Sequence, residues 1–140
     1  MDDCVFCAIG SGAVDSDLVV HPSPRVFVVP ALRQRARNRG HALLLPVEHV
    51  RNLHDAEPDV RAELFAVAAA LTGGFPPLYG AAGSYVFVNN VEPDGQPFHL
   101  HVHAVPRFGD DGFSEPDAAV AEVPRDERLA QAAVLRGLLT

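Results

Sequence analysis

Positive charge is what this sequence has least of. It contains no lysine, and its 11 arginines stand against 18 acids, for a formal net charge of -7. Such a balance argues against general nucleic-acid binding, which depends on neutralising phosphates. Cysteine is equally scarce, with only Cys4 and Cys7. Two thiols three positions apart build no disulfide framework, so the expected setting is a reducing cytoplasm. No apolar run approaches the roughly 20 residues that span a bilayer. The acidic start Met1-Asp2-Asp3-Cys4 carries no basic segment of a secretory signal. What is present in quantity is hydrophobic side chain, 48% of 140 residues. That excludes disorder and suffices for one domain with a real core.

The stretch Phe98 to Arg107 carries the chemistry. His99, His101 and His103 alternate with Leu100, Val102 and Ala104. Alternation is a strand pattern, because successive side chains point to opposite faces. The apolar set anchors on a core. The imidazoles share the other face, roughly 6–7 Å apart. A half-buried strand with a polar outer face is the plain alternative, but threonine, serine or lysine would serve there. Three imidazoles supply a nucleophile, a proton carrier or a metal ligand near neutral pH.

Elsewhere the chain reads as short strands and two helices. Cys4-Val5-Phe6-Cys7 is compatible with a redox pair, half of a zinc site, or neither. The redox reading wants a preceding strand, and only three residues precede it. The zinc reading needs two more ligands, for which His41, His49, His54 and His99 are available. Leu18 to Val20 and Arg25 to Val29 read as strands joined by a turn at His21-Pro22-Ser23-Pro24, with His21 solvated. Arg33 to Arg39 is either a mobile solvated loop or a phosphate clamp, which arginine's planar fork suits. His41 to Pro46 is a buried strand with Val47-Glu48-His49 at its end. A helix starts near Pro58, with Val60, Leu64, Val67, Ala68 and Leu71 on one face, and stops at Gly73-Gly74. Phe75 to Gly83 reads as a loop. Tyr85 to Asn89 is a strand that forms a hairpin with the histidine strand. The connecting loop carries Gly95, where bare backbone can approach an anion. A last helix spans Arg125 to Leu139, with Leu129, Ala132, Ala133 and Leu135 inward.

His99-Leu100-His101-Val102-His103-Ala104-Val105-Pro106-Arg107 resembles the signature of the histidine-triad (HIT) superfamily. Three further stretches agree in order: Cys4 to Ile9, Gly40 to His49, and Asn89 with Gly95-Gln96. The resemblance implies an α+β fold, with an antiparallel sheet of about five strands, one central helix and a C-terminal helix. It places the core at about 4–107 of a single 1–140 domain, with an extension at 108–140, and implies a homodimer. It also implies nucleotidyl transfer or hydrolysis at the α-phosphate of a nucleotide or nucleotide-like small molecule. His101 would be the nucleophile and form a nucleotidyl-imidazole. His103 would donate a hydrogen bond to phosphate, and His99 would orient the strand. Asn89, Gly95 and Gln96 would contact substrate. Zinc-bearing relatives map onto Cys4, Cys7, His49 and His99 as a structural Zn2+ site. Two rivals stand beside this reading. One is a zinc-stabilised protein that binds nucleotides or anions in the triad pocket without catalysis. The other is a thiol-disulfide protein built on Cys4 and Cys7.

Overall fold

The apolar run Ala42-Leu43-Leu44-Leu45-Pro46 lies at the centre of the molecule, and all five residues are buried. The computed structural model describes residues 4–90, 98–113 and 120–140. In chain order the elements are α1 (Val5–Gly10), β1 (Val20–Ser23), β2 (Val26–Pro30), β3 (Arg33–Arg35), β4 (Ala42–Pro46), α2 (Pro58–Tyr79), β5 (Gly83–Val88), β6 (Val102–Arg107), β7 (Val120–Glu122) and α3 (Arg125–Leu139). Short 3-10 turns sit at Ser16–Leu18 and Leu53–Asp55. The architecture is α+β, as expected. Its main sheet has five antiparallel strands in the order β1-β2-β4-β6-β5, and β3 pairs with β7 in a separate ribbon.

The sheet has two different faces. Val26, Val28, Ala42, Leu44, Val102 and Ala104 point to the side covered by α2 and α3, where they meet Leu64, Leu71, Phe75 and Leu135. Phe27, Val29, Leu43 and Leu45 point to the other side, which receives Ile9 and Phe6 of the short α1. Paired residues on neighbouring antiparallel strands share a face. Leu43 pairs with His103, and His103 with Phe87, so the third histidine lies on the α1 side. Each fully buried Leu or Val contributes about 1.5–3 kcal/mol of transfer free energy.

Several local expectations are corrected. His21 and Pro22 belong to β1 rather than to a turn; the turn is Pro24-Arg25. Proline is tolerated there because β1 is an edge strand. The His21 ring lies near the Phe27 ring, and its Nε2 is 3.2 Å from the Gly10 carbonyl. The central helix does not stop at Gly73-Gly74. It runs through Pro76 and Pro77 to Tyr79 and ends at Gly80, whose φ of 70° is the left-handed cap. Gly74 stays helical because Leu138 of α3 packs where its Cβ would be, 2.5 Å away. On α3, Leu129 and Ala133 face outward, and Gln131 is buried beside Ala132 and Leu135.

The arginine stretch is not a mobile solvated loop. Gln34 and Asn38 are buried within it. The Gln34 side chain exchanges hydrogen bonds with Gln131 (2.8 and 3.1 Å) and accepts from the Gly40 N–H (3.0 Å). Asn38 donates to the Pro106 carbonyl and to Asp111, both at 2.9 Å. Asp111 in turn accepts from Arg107 Nε (2.8 Å) and from the Phe108 and Phe113 N–H groups. These contacts hold its carboxyl well below the usual range, the Arg107 guanidinium first. The partners lie some 70 to 100 residues away in sequence, so charge density alone gave no sign of them.

Candidate metal centre and histidine site

The regular hydrogen-bonded strand begins at Val102, so His99 and His101 precede it rather than lying within it. The cause is Pro46. It has no N–H to offer a neighbouring strand, and its carbonyl is taken by the His99 ring at 2.7 Å. The ladder from β4 to β6 therefore covers only Ala42 to Leu44. Beyond it the Leu100 N–H donates to the Val50 carbonyl instead.

That break creates the first site. A carbonyl can only accept, so His99 carries its proton on Nε2 and turns the bare Nδ1 inward. Nδ1 lies 3.4 Å from Cys4 Sγ and 3.5 Å from Cys7 Sγ. His49, just beyond β4, brings its Nδ1 to 3.2 Å from Cys7 Sγ. All four ligand atoms lie within 4.8 Å of one another. Tetrahedral zinc with bonds of about 2.0–2.3 Å needs ligand atoms roughly 3.3–3.8 Å apart; the three sulfur–nitrogen separations of 3.2–3.5 Å match that spacing, and the full set lies within 4.8 Å. Burial lowers both imidazole pKa values, which favours the neutral, ligating form. The Pro46 carbonyl supplies the outer hydrogen bond that fixes a ligating histidine. The thiol-disulfide reading fares worse: burial raises the Cys7 thiol, whereas a reactive cysteine needs it lowered. The cysteines sit here because Cys4 is the N-cap of α1 and Cys7 lies one turn on.

The second site lies beside the first. His101 Nδ1 is 2.8 Å from the carbonyl of His99. Nδ1 must therefore be the protonated nitrogen, which leaves the lone pair on Nε2. Phe6 and Phe98 pack on the His101 ring at 5.3 and 5.4 Å. Burial lowers the His101 pKa, partly offset by the carbonyl bond. His103 stacks flat on Phe87, with centroids 4.2 Å apart and planes 5° apart. Its Nδ1 meets His41 Nε2 at 3.0 Å, and its own Nε2 is buried without a partner. Burial pushes His103 down to about 3 and His41 down to about 4.

The structure thus brings together Cys4, Cys7, His49 and His99, and places His101 and His103 next to them. Asn89 is exposed just past the end of β5. Gly95 and Gln96 lie outside the described residues. His41, one of the histidines open to zinc in the sequence, lies outside the four-residue cluster and contacts His103 instead. Its one signal is position, two residues before Leu43, and only the 3.0 Å contact between its Nε2 and His103 Nδ1 shows that it meets the triad. His54 is exposed and takes no part.

A five-stranded sheet with an alternating histidine row beside a Cys2His2 cluster defines a class, and comparison with known proteins places the chain in it. The HIT domain family model matches residues 14–110. The chain belongs to the HIT family. It is 30% identical over 122 residues to Protein hit of Bacillus subtilis, covering 80% of this chain and 77% of that protein. Among solved structures it is similar to a Zn-bound histidine triad family protein from Mycobacterium smegmatis. That match has 27% identity, a TM-score of 0.76, and covers 99% of this chain and 94% of the other. It is also similar to a hypothetical histidine triad nucleotide-binding protein from Sulfolobus tokodaii. There the identity is 25% and the TM-score 0.75, with 97% and 91% of the two chains covered. No described helix is long and apolar enough to cross a membrane.

Proposed function

We propose that this protein is a nucleotide hydrolase or nucleotidyl transferase that cleaves nucleoside phosphate derivatives at the α-phosphate through a covalent intermediate on His101. The observation that carries the reading is the bond from His101 Nδ1 to the His99 carbonyl. It fixes the tautomer in which Nε2 is an unprotonated nucleophile. Attack forms an Nε2–phosphorus bond as the bond to the leaving group breaks. Water then takes the nucleotide from the imidazole, so one hard displacement becomes two easier ones. With His41 Nε2 as the donor to His103 Nδ1, the His103 proton lies on the unpartnered Nε2. That N–H is a preorganised donor for a phosphoryl oxygen, where such donors contribute most. Asn89, with Gly95 and Gln96, contacts the substrate.

Cys4, Cys7, His49 and His99 hold a structural zinc ion. A closed four-ligand set leaves no position for substrate, so the ion's role is to tie α1 to the segment that presents His101. Two copies associate through the edge strand β5, where Tyr85 and Val86 are 44% and 36% exposed. The nucleotide-binding name of the Sulfolobus relative and the zinc of the Mycobacterium relative support these readings.

The test is intact-protein mass spectrometry after brief mixing with activated nucleotides, including an adenosine phosphoramidate, without acid quench. A nucleotide-sized mass gain that is absent in His101→Ala is expected, together with loss of turnover in that variant. Undiminished turnover in His101→Ala would overturn the reading. Binding without adduct or turnover would favour a non-catalytic nucleotide-binding protein.

A further inference from the structure

The arginine stretch takes no part in the histidine site and lies on the other side of the sheet. Gly40 and His41 are neighbours at the turn before β4, and they face different surroundings. His41 turns to the triad, while Gly40 faces the ring of Tyr79 at the end of α2. On that side Ala36, Arg37, Arg39, Tyr79 and Phe108 line an open pocket of about 380 Å3. Arg37 is held by the Asp110 carbonyl at 3.2 Å, and Arg39 Nε by Glu127 at 3.3 Å. Two polar atoms of the pocket residues stay buried without a partner, Arg39 Nη1 and Tyr79 Oη. Among the described residues few side-chain atoms are in that condition, and two others, on His49 and His103, belong to the sites above.

An unpaired buried donor costs about 1–3 kcal/mol; both atoms are enclosed at the edge of this pocket, so a small side-chain movement would offer them to an occupant. Both groups donate and one is a cation, so their complement is an acceptor-rich anion. The Arg39 side chain is 37% exposed, which leaves its terminal torsions room to turn Nη1 into the pocket. The rings of Tyr79 and Phe108 offer flat apolar walls beside it. We propose that this pocket is a second ligand site, for a small oxyanion (a phosphomonoester or a carboxylate) carried on a flat apolar body. It is separate from the His101 site and does not depend on that site's chemistry.

The experiment is a 1H–15N NMR titration of the protein with phenyl phosphate, and in parallel with benzoate and inorganic phosphate. Saturable shifts at Ala36 to Gly40, Tyr79 and Phe108 are expected with phenyl phosphate or benzoate. They should be tighter than with inorganic phosphate and should persist in His101→Ala. Arg39→Gln should weaken the dissociation constant at least about tenfold, the loss of one charge-assisted hydrogen bond. Tyr79→Phe, which removes only the hydroxyl, should weaken it several-fold and guards against misfolding of the arginine variant. Shifts confined to the histidine segments, no saturable shift, or equal affinity in both variants would overturn the proposal.

Discussion

His41 Nε2 and His103 Nδ1 lie 3.0 Å apart, although the two residues are 62 positions apart in sequence. One ring must donate and the other accept, so the pair cannot carry two imidazolium charges. Burial lowers His41 to about 4 and His103 to about 3 from the ordinary value of 6.5. The unfolded chain therefore binds more protons than the folded one below pH 6.5. Stability from this neutral pair is complete above that pH and is lost as pH falls from 6.5 towards 4 and then 3. Each proton taken up contributes a slope of about 1.4 kcal/mol per pH unit. Urea midpoints between pH 7.5 and 4.5 should fall more steeply in the wild type than in His41→Gln. Equal slopes would mean that the pair protonates freely in the folded state.

Removal of the metal should release α1. Cys4 and Cys7 tie α1 to His49 and His99 in this cluster, in addition to the packing of Phe6 and Ile9 on the sheet. Elemental analysis should give one zinc per chain in the wild type and none in Cys7→Ala. A ligand present at 100 to 1,000 times its dissociation constant stabilises by about 3–4 kcal/mol. Thermal melts of the chelated protein and of Cys7→Ala should fall together by that equivalent. A Cys7→Ala protein that melts like the wild type in excess zinc would remove the ion from the structural account.

His103 supplies the proposed phosphoryl donor, and His41 sets its tautomer. His103→Ala should lower kcat by about 10²–10³, the usual loss for one preorganised donor. It should leave adduct formation on His101 slow but detectable. His41→Ala should produce a smaller loss in kcat with little change in KM, because it acts through His103. A loss in KM alone would place both residues in binding rather than in chemistry.

Gly40 has a φ of 112°, and a Cβ there would lie 2.7 Å from the Tyr79 ring and 3.2 Å from Pro106. Gly40→Ala therefore strains both backbone and packing, at about 1–3 kcal/mol. Denaturant unfolding should show this loss, and turnover should fall as well, because His41 is the next residue. A neutral effect on stability would show that the loop adjusts without cost.

Much of this protein was legible in its sequence. Alternation in Phe98 to Arg107 placed three imidazoles on a segment with an apolar back, because strand geometry fixes side-chain direction over two residues. The apolar run at Ala42 to Pro46 marked the central strand, and amphipathic spacing marked both long helices. The resemblance to the HIT family supplied the set Cys4, Cys7, His49 and His99, which the structure brings within ligating reach. Tertiary structure decided what depends on partners far away in the chain. Pro46 ends the β4–β6 ladder and so sets the protons of His99 and His101. Only the folded chain brings the His41 ring, just before β4, to within 3.0 Å of His103, which itself pairs with Leu43. Leu138 packs on Gly74 within a helix that runs through a Gly-Gly-x-Pro-Pro stretch, and Gln131, Asp111 and Pro106 order the arginine loop. Spacing along the chain fixes only local geometry. Contacts between residues 50 to 100 positions apart form where the gain from burial and hydrogen bonding exceeds the entropy of closing the loop between them.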